Sequence, residues 1–490
     1  MSELPEITLK SRLLQLKCHF TWRLLEKDTD INALESRVHS QLTYLVTKSK
    51  QMVYNLLAYI MHIKGDYTKA IANLEQAEEK IKENNPDGAD IKYLVTFGDY
   101  AWVYYYLQRY DYSQNYIDKI DQINKELQLS PNDSKDIAEI YGEQGWSLLT
   151  FCGQYYEKAK ECFEKALELD PEDPEWNSGY ATAVYRLEGF NDRNFTVSEC
   201  KSLELLKRAV ALNPEDAVVK VLFALKLQDL KRADEGIKYV EEALEQASNL
   251  PYLLRYVAKF YRRAGLVDDA LQVLKAAIDL IPSSGFLHHQ IGLCYKQKVN
   301  HKRNTFGKIQ RSKSRQIHTG EIDELIQKAI FHFEKALEYK KSFVYAYLDL
   351  ANMYIQTMEY RKAEDTFEKV LSLPNAIDGE KQQINFSFGC FQEYFKKSER
   401  EAIKYYKKGF LITNPSQFRE DCGKALKRLA ERKIQSDHRD PLGFGLLGFV
   451  YKNNRNIPEA IECYEKAIKY DPNNEEYLSN LCGLVDEVQD

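Results

Sequence analysis

Apolar residues recur along most of this chain at the three-and-four spacing of one buried helix face, and they come in paired segments. The sharpest pair runs Phe444, Leu447, Gly448 and Tyr451, then Ala460, Tyr464, Ala467 and Pro472. Small residues at 448, 460 and 467 let two helices approach, and the large ones fill the seam beside them. The same order returns as Tyr54, Leu57, Ala58, Gly65, Tyr67, Ala70, Leu74 and Ala77. It returns again as Ala258, Tyr261, Gly265, Ala270, Leu274, Ala277 and Pro282, and as Ala351, Tyr354, Tyr360, Ala363 and Phe367. Ala159, Phe163, Ala166 and Pro171 mark another second helix, with weaker copies at 101–120, 224–243 and 390–409.

Helix pairs at a period of about 34 residues are the tetratricopeptide type of repeat, in which stacking of neighbours supplies the core. The predicted fold is therefore all-α, a tetratricopeptide-repeat superhelix of about nine helical hairpins, divided into two or three blocks around a basic groove or tunnel. Interruptions suggest where blocks meet. Residues 188–197, with Gly189, Asn191, Asp192 and Asn194, read as an inserted loop. A longer insertion between Tyr295 and Ala329 carries Lys298, Lys302, Arg303, Lys308, Arg311, Lys313 and Arg315, with no acid before Glu321. Such a charge run fits either a solvated basic loop or a phosphate-contacting arm. The expected domains are a helical cap or lid at 1–50, a repeat block at 51–250, central repeats with the basic groove and inserted loop at 251–340, and a C-terminal repeat block at 341–490.

Composition narrows the function. Hydrophobic residues make up 44% and charged residues 29% of the 490, and glycine (22) and proline (13) are scarce. That describes a core-forming helical protein, not a disordered one. The net charge of −6 argues against a generic nucleic-acid binder but leaves room for a local basic channel. The cysteines are scattered without a CxxC pair, so buried reduced thiols are expected and no zinc site. No apolar run reaches the length of a membrane span, residues 1–10 have no signal core, and a cytoplasmic location is expected. There is no GxSxG, Walker loop, glycine-rich dinucleotide turn or HExxH. The chain is expected to bind, not to catalyse, and to need no cofactor.

The first helix of each repeat lines the concave side of such a superhelix. In the repeat near 51 those positions hold Met52, Asn55, Tyr59 and His62. Near 344 they hold Tyr345, Leu348, Asn352 and Ile355, and near 441 Leu442, Gly445, Phe449 and Lys452. None of these is strongly basic. The repeat at 252 differs, with Tyr252, Arg255, Lys259 and Arg262, and the next adds Phe286, His289 and Lys296. A second basic stripe, Lys424, Arg428 and Arg432, shares one helix face. Arginine forks grip phosphate oxygens and aromatic rings stack on bases. An acidic peptide tail is the competing ligand, and Tyr252, Tyr256 and Phe286 tilt the balance toward nucleic acid.

The strings CHFTW (18–22), NLLAYI (55–60), AWVYY (101–105), LKLQD (225–229), AKFYRR (258–263), LHHQIGLCYK (287–296), AIFHF (329–333) and LGFVYK (447–452) occur in this order. Together they resemble the interferon-induced proteins with tetratricopeptide repeats over nearly the whole chain. The resemblance implies an antiviral effector of innate immunity that holds single-stranded RNA by its 5′ end in a narrow, positively charged tunnel. The end carries a triphosphate or a cap lacking 2′-O-methylation. Holding it blocks translation of foreign RNA without catalysis. Partners would be such RNA, related family members or a second copy, with no membrane and no DNA.

Carried over by that resemblance, Arg37, Gln41, Tyr156 and Arg186 meet the terminal phosphates within the 51–250 block and the segment before it. Arg255, Tyr256, Arg262, His289 and Gln290 form the tunnel wall, with Tyr252, Lys259 and Phe286 beside them. Trp146, Leu45 and Thr47 would line a cap pocket. Two departures bear on specificity. The lysine that the family places after GWxLL is Thr150 here, and a charge-assisted hydrogen bond contributes roughly 1.5–3 kcal/mol. The asparagine and tyrosine of cap-binding members are Asp216 and Val218, and an aspartate repels phosphate. 5′-Triphosphate RNA is thus slightly preferred over capped RNA. A phosphate-bridging divalent cation, with Gln41 as an oxygen ligand, stays open.

Overall fold

The structure, a computed structural model, describes residues 3–29, 31–44, 49–84, 91–127, 135–191, 201–308, 315–374 and 376–489. Met1–Gly189 with Arg193–Lys341 forms one compact unit, and Ser342–Asp490 with Phe190–Asp192 a second. The first holds α1 (Glu3–Leu13), α2 (Ile31–Tyr44), α3 (Lys50–Ile63), α4 (Tyr67–Asn84), α5 (Tyr93–Tyr106), α6 (Tyr110–Glu126), α7 (Lys135–Phe151) and α8 (Tyr156–Leu169). It continues with α9 (Pro174–Asn191), α10 (Lys201–Leu212), α11 (Ala217–Asp229), α12 (Ala233–Ala247), α13 (Pro251–Arg263), α14 (Val267–Leu280), α15 (Gly285–Lys308) and α16 (Arg315–Tyr339). The second holds α17 (Val344–Gln356), α18 (Tyr360–Leu371), α19 (Asp378–Tyr394), α20 (Glu399–Leu411), α21 (Gln417–Ser436), α22 (Pro441–Asn453), α23 (Ile457–Tyr470) and α24 (Glu475–Gln489). The described residues contain no strand. Helices pack as hairpins α3–α4, α5–α6, α7–α8, α11–α12, α13–α14, α15–α16, α17–α18, α19–α20 and α22–α23. The all-α tetratricopeptide fold stands, weak copies included.

Each hairpin is held by one apolar stripe on each helix. On α14 that stripe is Ala270, Leu274 and Ala277, fully buried against Leu254 and Ala258 of α13. Glycine appears where a ring must lie on backbone: a Cβ on Gly292 of α15 would come 2.5 Å from the Phe333 ring of α16. Most of the described turns between paired helices pass through a left-handed residue, though that of α7–α8 does not. Gly65 (φ 75°) and Gly265 (φ 86°) adopt it freely, while Gln108, Lys231, Met358 and Arg455 adopt it at φ 57–64°.

Leu13, Cys18, Trp22 and Leu24 are part of the core of the first unit. His19 is fully buried and donates or accepts at both ring nitrogens, Nδ1 to Asp99 of α5 at 2.7 Å and Nε2 to Ser147 of α7 at 3.0 Å. Phe20 stacks on Trp102 at 5.7 Å, and Trp102 Nε1 donates to the Leu13 carbonyl. Tyr59 of α3 donates to the Leu24 carbonyl at 2.7 Å. Asn55, expected to face the groove, is instead buried and donates to Glu143 and Thr96. The first helices of three successive hairpins, α3, α5 and α7, are thus covered by the chain's own N-terminal segment. Burial raises the Glu143 carboxyl to about 7.

Where the structure describes them, the two insertions are helical. α9 runs on through Gly189 to Asn191, and residues 192–200 lie outside the described set. α15 and α16 extend one long hairpin into the basic segment, so Lys298 to Lys308 and Arg315 are helix and not loop. Arg311 and Lys313 lie outside the described residues. Lys298 pairs with Asp268 and Lys302 with Glu321, which removes much of the segment's apparent charge. The stripe on α21 is likewise neutralised: Arg428 binds Glu393 at 2.7 Å, Arg432 and Lys433 bind Glu399, and Lys424 faces Glu420 and Asp421.

Candidate nucleic-acid interface

The last turn of α7 leaves its final carbonyls without helix partners. Two arginines from other helices take them. Arg37 of α2 donates through Nη2 to the Thr150 and Phe151 carbonyls, the latter at 3.2 Å. Arg186 of α9 donates through Nη1 to the Leu149 carbonyl at 3.0 Å and to the Tyr156 hydroxyl at 3.4 Å. Cations at a helix C-terminus also suit its dipole. Arg37 is therefore anchored on one edge and keeps donors for something else, while Arg186 is held through both Nη atoms. The Arg37 Nε is buried and makes no hydrogen bond. Gln41 lies one turn further along α2, half-buried.

The line continues into α13. Arg186 Nη2 donates to the Tyr252 hydroxyl, which lies 3.2 Å from that of Tyr256. Arg255 sits among three rings, 4.8 Å from the centre of Tyr252, 4.7 Å from Tyr256 and 5.0 Å from Phe286 of α15. Lys340 covers Phe286 at 4.2 Å, and Lys259 lies 6.0 Å over Tyr185 of α9. Phosphate-type and tunnel-type candidates are thus one continuous set. Among the described residues no carboxylate pairs with Arg37, Arg186 or Arg255.

That uncompensated charge is visible in the titration of its neighbours. Burial lowers the Arg37 guanidinium below its ordinary value, and Arg186 and Arg255 push the same way. Burial alone would raise the Tyr256 phenol, but Arg255 and Arg186 bring it well below the ordinary tyrosine range.

The remaining candidates are placed unevenly. Arg262 accepts Gln297 at its backbone carbonyl, which ties α13 to α15. Gln290 keeps a buried Oε1 without a hydrogen bond. His289 is buried with its ring 5.6 Å from Phe333, so packing holds it. Its neighbour His288 turns away and meets His332, Nδ1 to Nδ1, at 3.0 Å. Trp146 on α7 stands edge-on to Phe163 at 5.4 Å, with a buried Nε1 that has no acceptor. Leu45 and Thr47 lie outside the described residues. Asp216 is the N-cap of α11, accepting from Val218 N at 3.1 Å and Val219 N at 3.0 Å. Its carboxylate is committed to that helix terminus, which weakens the expected repulsion of phosphate.

Sequence reading missed the α7 carbonyls that orient both arginines, and Lys340 and Tyr185. It also missed Asp99, His19 and Ser147, aligned like a hydrolase triad yet buried. A triad needs its nucleophile at a surface that substrate can reach, so this one ties the N-terminal segment down. No group of three or more His, Cys, Asp or Glu among the described residues could hold a metal ion, and no described helix is long and apolar enough to cross a membrane.

The family model described as tetratricopeptide repeat matches residues 441–474, 53–79, 153–173 and 344–376. The human protein named antiviral innate immune response effector IFIT1 is 44% identical over 467 residues, spanning 94% of this chain and 95% of that one. Human interferon-induced protein with tetratricopeptide repeats 2 is 36% identical over 473 residues, spanning 96% and 97%. Among solved structures, a human IFIT1 dimer with m7Gppp-AAAA matches at TM-score 0.83 and 43% identity, covering 94% of this chain and 99% of that one. A human IFIT1 dimer with PPP-AAAA matches at TM-score 0.78 and 42% identity, with the same coverage. The chain belongs to the family of interferon-induced proteins with tetratricopeptide repeats.

Proposed function

We propose that this protein captures single-stranded RNA by its 5′ end and withholds it from translation, as a non-catalytic cytoplasmic effector of antiviral innate immunity. The observation that carries the reading is the line Arg37, Arg186 and Arg255, three guanidiniums with no carboxylate partner among the described residues, in a chain of net charge −6. A half-buried guanidinium with no counter-charge is suited to an anionic ligand, which forms charge-assisted hydrogen bonds with it. In this reading the terminal phosphates sit between Arg37, Gln41, Tyr156 and Arg186. The following nucleotides run past Tyr252, Arg255, Tyr256, Lys259, Arg262, Phe286, His289 and Gln290. Contacts to phosphate and ring faces hold any sequence alike. Two relatives' structures, named as holding m7Gppp-AAAA and PPP-AAAA, support a 5′-end ligand. We favour 5′-triphosphate as the preferred end, with capped RNA lacking 2′-O-methylation as the competitor that would use Trp146. No step of chemistry is assigned to the protein: it needs only to bind.

One oligonucleotide bearing a 5′-triphosphate, an unmethylated cap or a 5′-hydroxyl tests this in a filter-binding assay at physiological salt. The triphosphate form is expected to bind tightest, and Arg255→Ala to weaken all phosphorylated forms. Equal, weak retention of all three would overturn 5′-end recognition. A second reading, a scaffold for related chains, draws on the relatives' description as dimers. Light scattering with and without RNA checks whether this chain self-associates.

A further inference from the structure

We propose that Lys259 is a covalent capture site for phosphate-bearing aldehydes, whose phosphate the neighbouring Arg255 guanidinium holds while the amine condenses with the carbonyl. Three observations on α13 carry it. Lys259 lies one helical turn from both Arg255 and Arg263, so it stands inside a cationic cluster. Its amine rests 6.0 Å over the Tyr185 ring, and among the described residues no carboxylate is ion-paired with it. Asp229, whose field reaches it, is committed to Arg263 Nη1 at 2.6 Å. The buried lysines outside the cleft differ: Lys226 is neutralised by Glu188 at 2.6 Å and Lys220 by Glu242 at 3.0 Å.

The environment also frees the nucleophile. Burial first, and then Arg263, lower the Lys259 ammonium to about 8. At neutral pH such a lysine carries more than about a hundredfold more free amine than one at its ordinary value. The amine lone pair attacks the carbonyl carbon, a C–N bond forms, and the carbonyl oxygen leaves as water. The product is an imine, with no oxidant or reductant consumed. Arg255 supplies the phosphate selectivity, because its guanidinium has no carboxylate partner. That the adduct also shuts RNA out rests on the proposed RNA path along α13.

The full-length chain would be incubated with pyridoxal 5′-phosphate, the imine reduced with borohydride, and the modified peptides mapped by mass spectrometry. Lys259 is expected to carry at least about tenfold more label than any other lysine, given its larger fraction of free amine. Pyridoxal without the phosphate should label it far less, and Lys259→Arg should lose the adduct while keeping its circular-dichroism melting curve. Label spread evenly over the lysines, or equal labelling of Lys259 by pyridoxal, would overturn the proposal. Prior addition of 5′-triphosphate RNA separates the two readings. Protection supports both. Undiminished labelling at Lys259 supports the capture site and counts against the RNA path.

Discussion

At the scale of single residues, position 150 tests where the proposed 5′ pocket lies. Its backbone carbonyl receives Arg37 of α2, while its side chain lacks the cation that the family places there. One edge of that arginine is spent on carbonyls of α7, and Nε stays open. Thr150→Lys adds a second, independent donor at the same place. It should strengthen binding of 5′-triphosphate RNA about tenfold, the worth of one charge-assisted hydrogen bond. Binding of 5′-hydroxyl RNA should hardly change. Isothermal titration with both oligonucleotides checks this, and a parallel gain for both would show that position 150 does not face the 5′ group.

At the scale of elements, the hairpin turn is the recurring constraint. Most described turns pass through a left-handed residue, which is glycine at Gly65 and Gly265 but has a long side chain at Lys231, Met358 and Arg455. An L-residue with a Cβ is strained there by about 1–2 kcal/mol. Met358 is 76% exposed, so its side chain contributes little packing to offset the strain. Met358→Gly should therefore raise stability by about 1 kcal/mol, less the entropy that glycine adds to the unfolded chain. A shift of the urea midpoint to higher concentration is the expected result, and an unchanged or lower midpoint would mean that the turn is not strained. The helices themselves were legible because Ala270, Leu274 and Ala277 repeat a spacing that only one buried face explains. The segment around Lys302 was not, because a charged helix extending beyond the apolar seam has no hydrophobic period to betray it.

At the scale of the whole molecule, a net charge of −6 coexists with a line of uncompensated cations because acids are placed to neutralise lysines and arginines elsewhere. Binding to anionic RNA should then report the local line and not the global sum. For single strands each neutralised phosphate contributes about −0.7 to the slope of log affinity against log salt. With Arg37, Arg186, Arg255, Lys259 and Arg262 engaged, a slope of about −3.5 is expected between low and physiological salt. A slope near zero, measured by fluorescence anisotropy across a salt series, would sink the phosphate-contact reading.

What the sequence determined by itself was the class of fold and a cationic helix face as the candidate for binding. Repeat spacing is a local property, and the cations of α13 fall on one side of a helix by periodicity alone. What only the tertiary structure decided was which charges remain available. Arg428 and Arg255 look alike in sequence, yet one is neutralised by Glu393 and the other stands among aromatic rings. The same holds for Arg37 and Arg186, brought together on the final carbonyls of α7. Ion pairing depends on partners far apart in the chain, and no helical period encodes them. The groove near Asn55 and Tyr59 shows the reverse case, a face that spacing left open and the N-terminal segment closed.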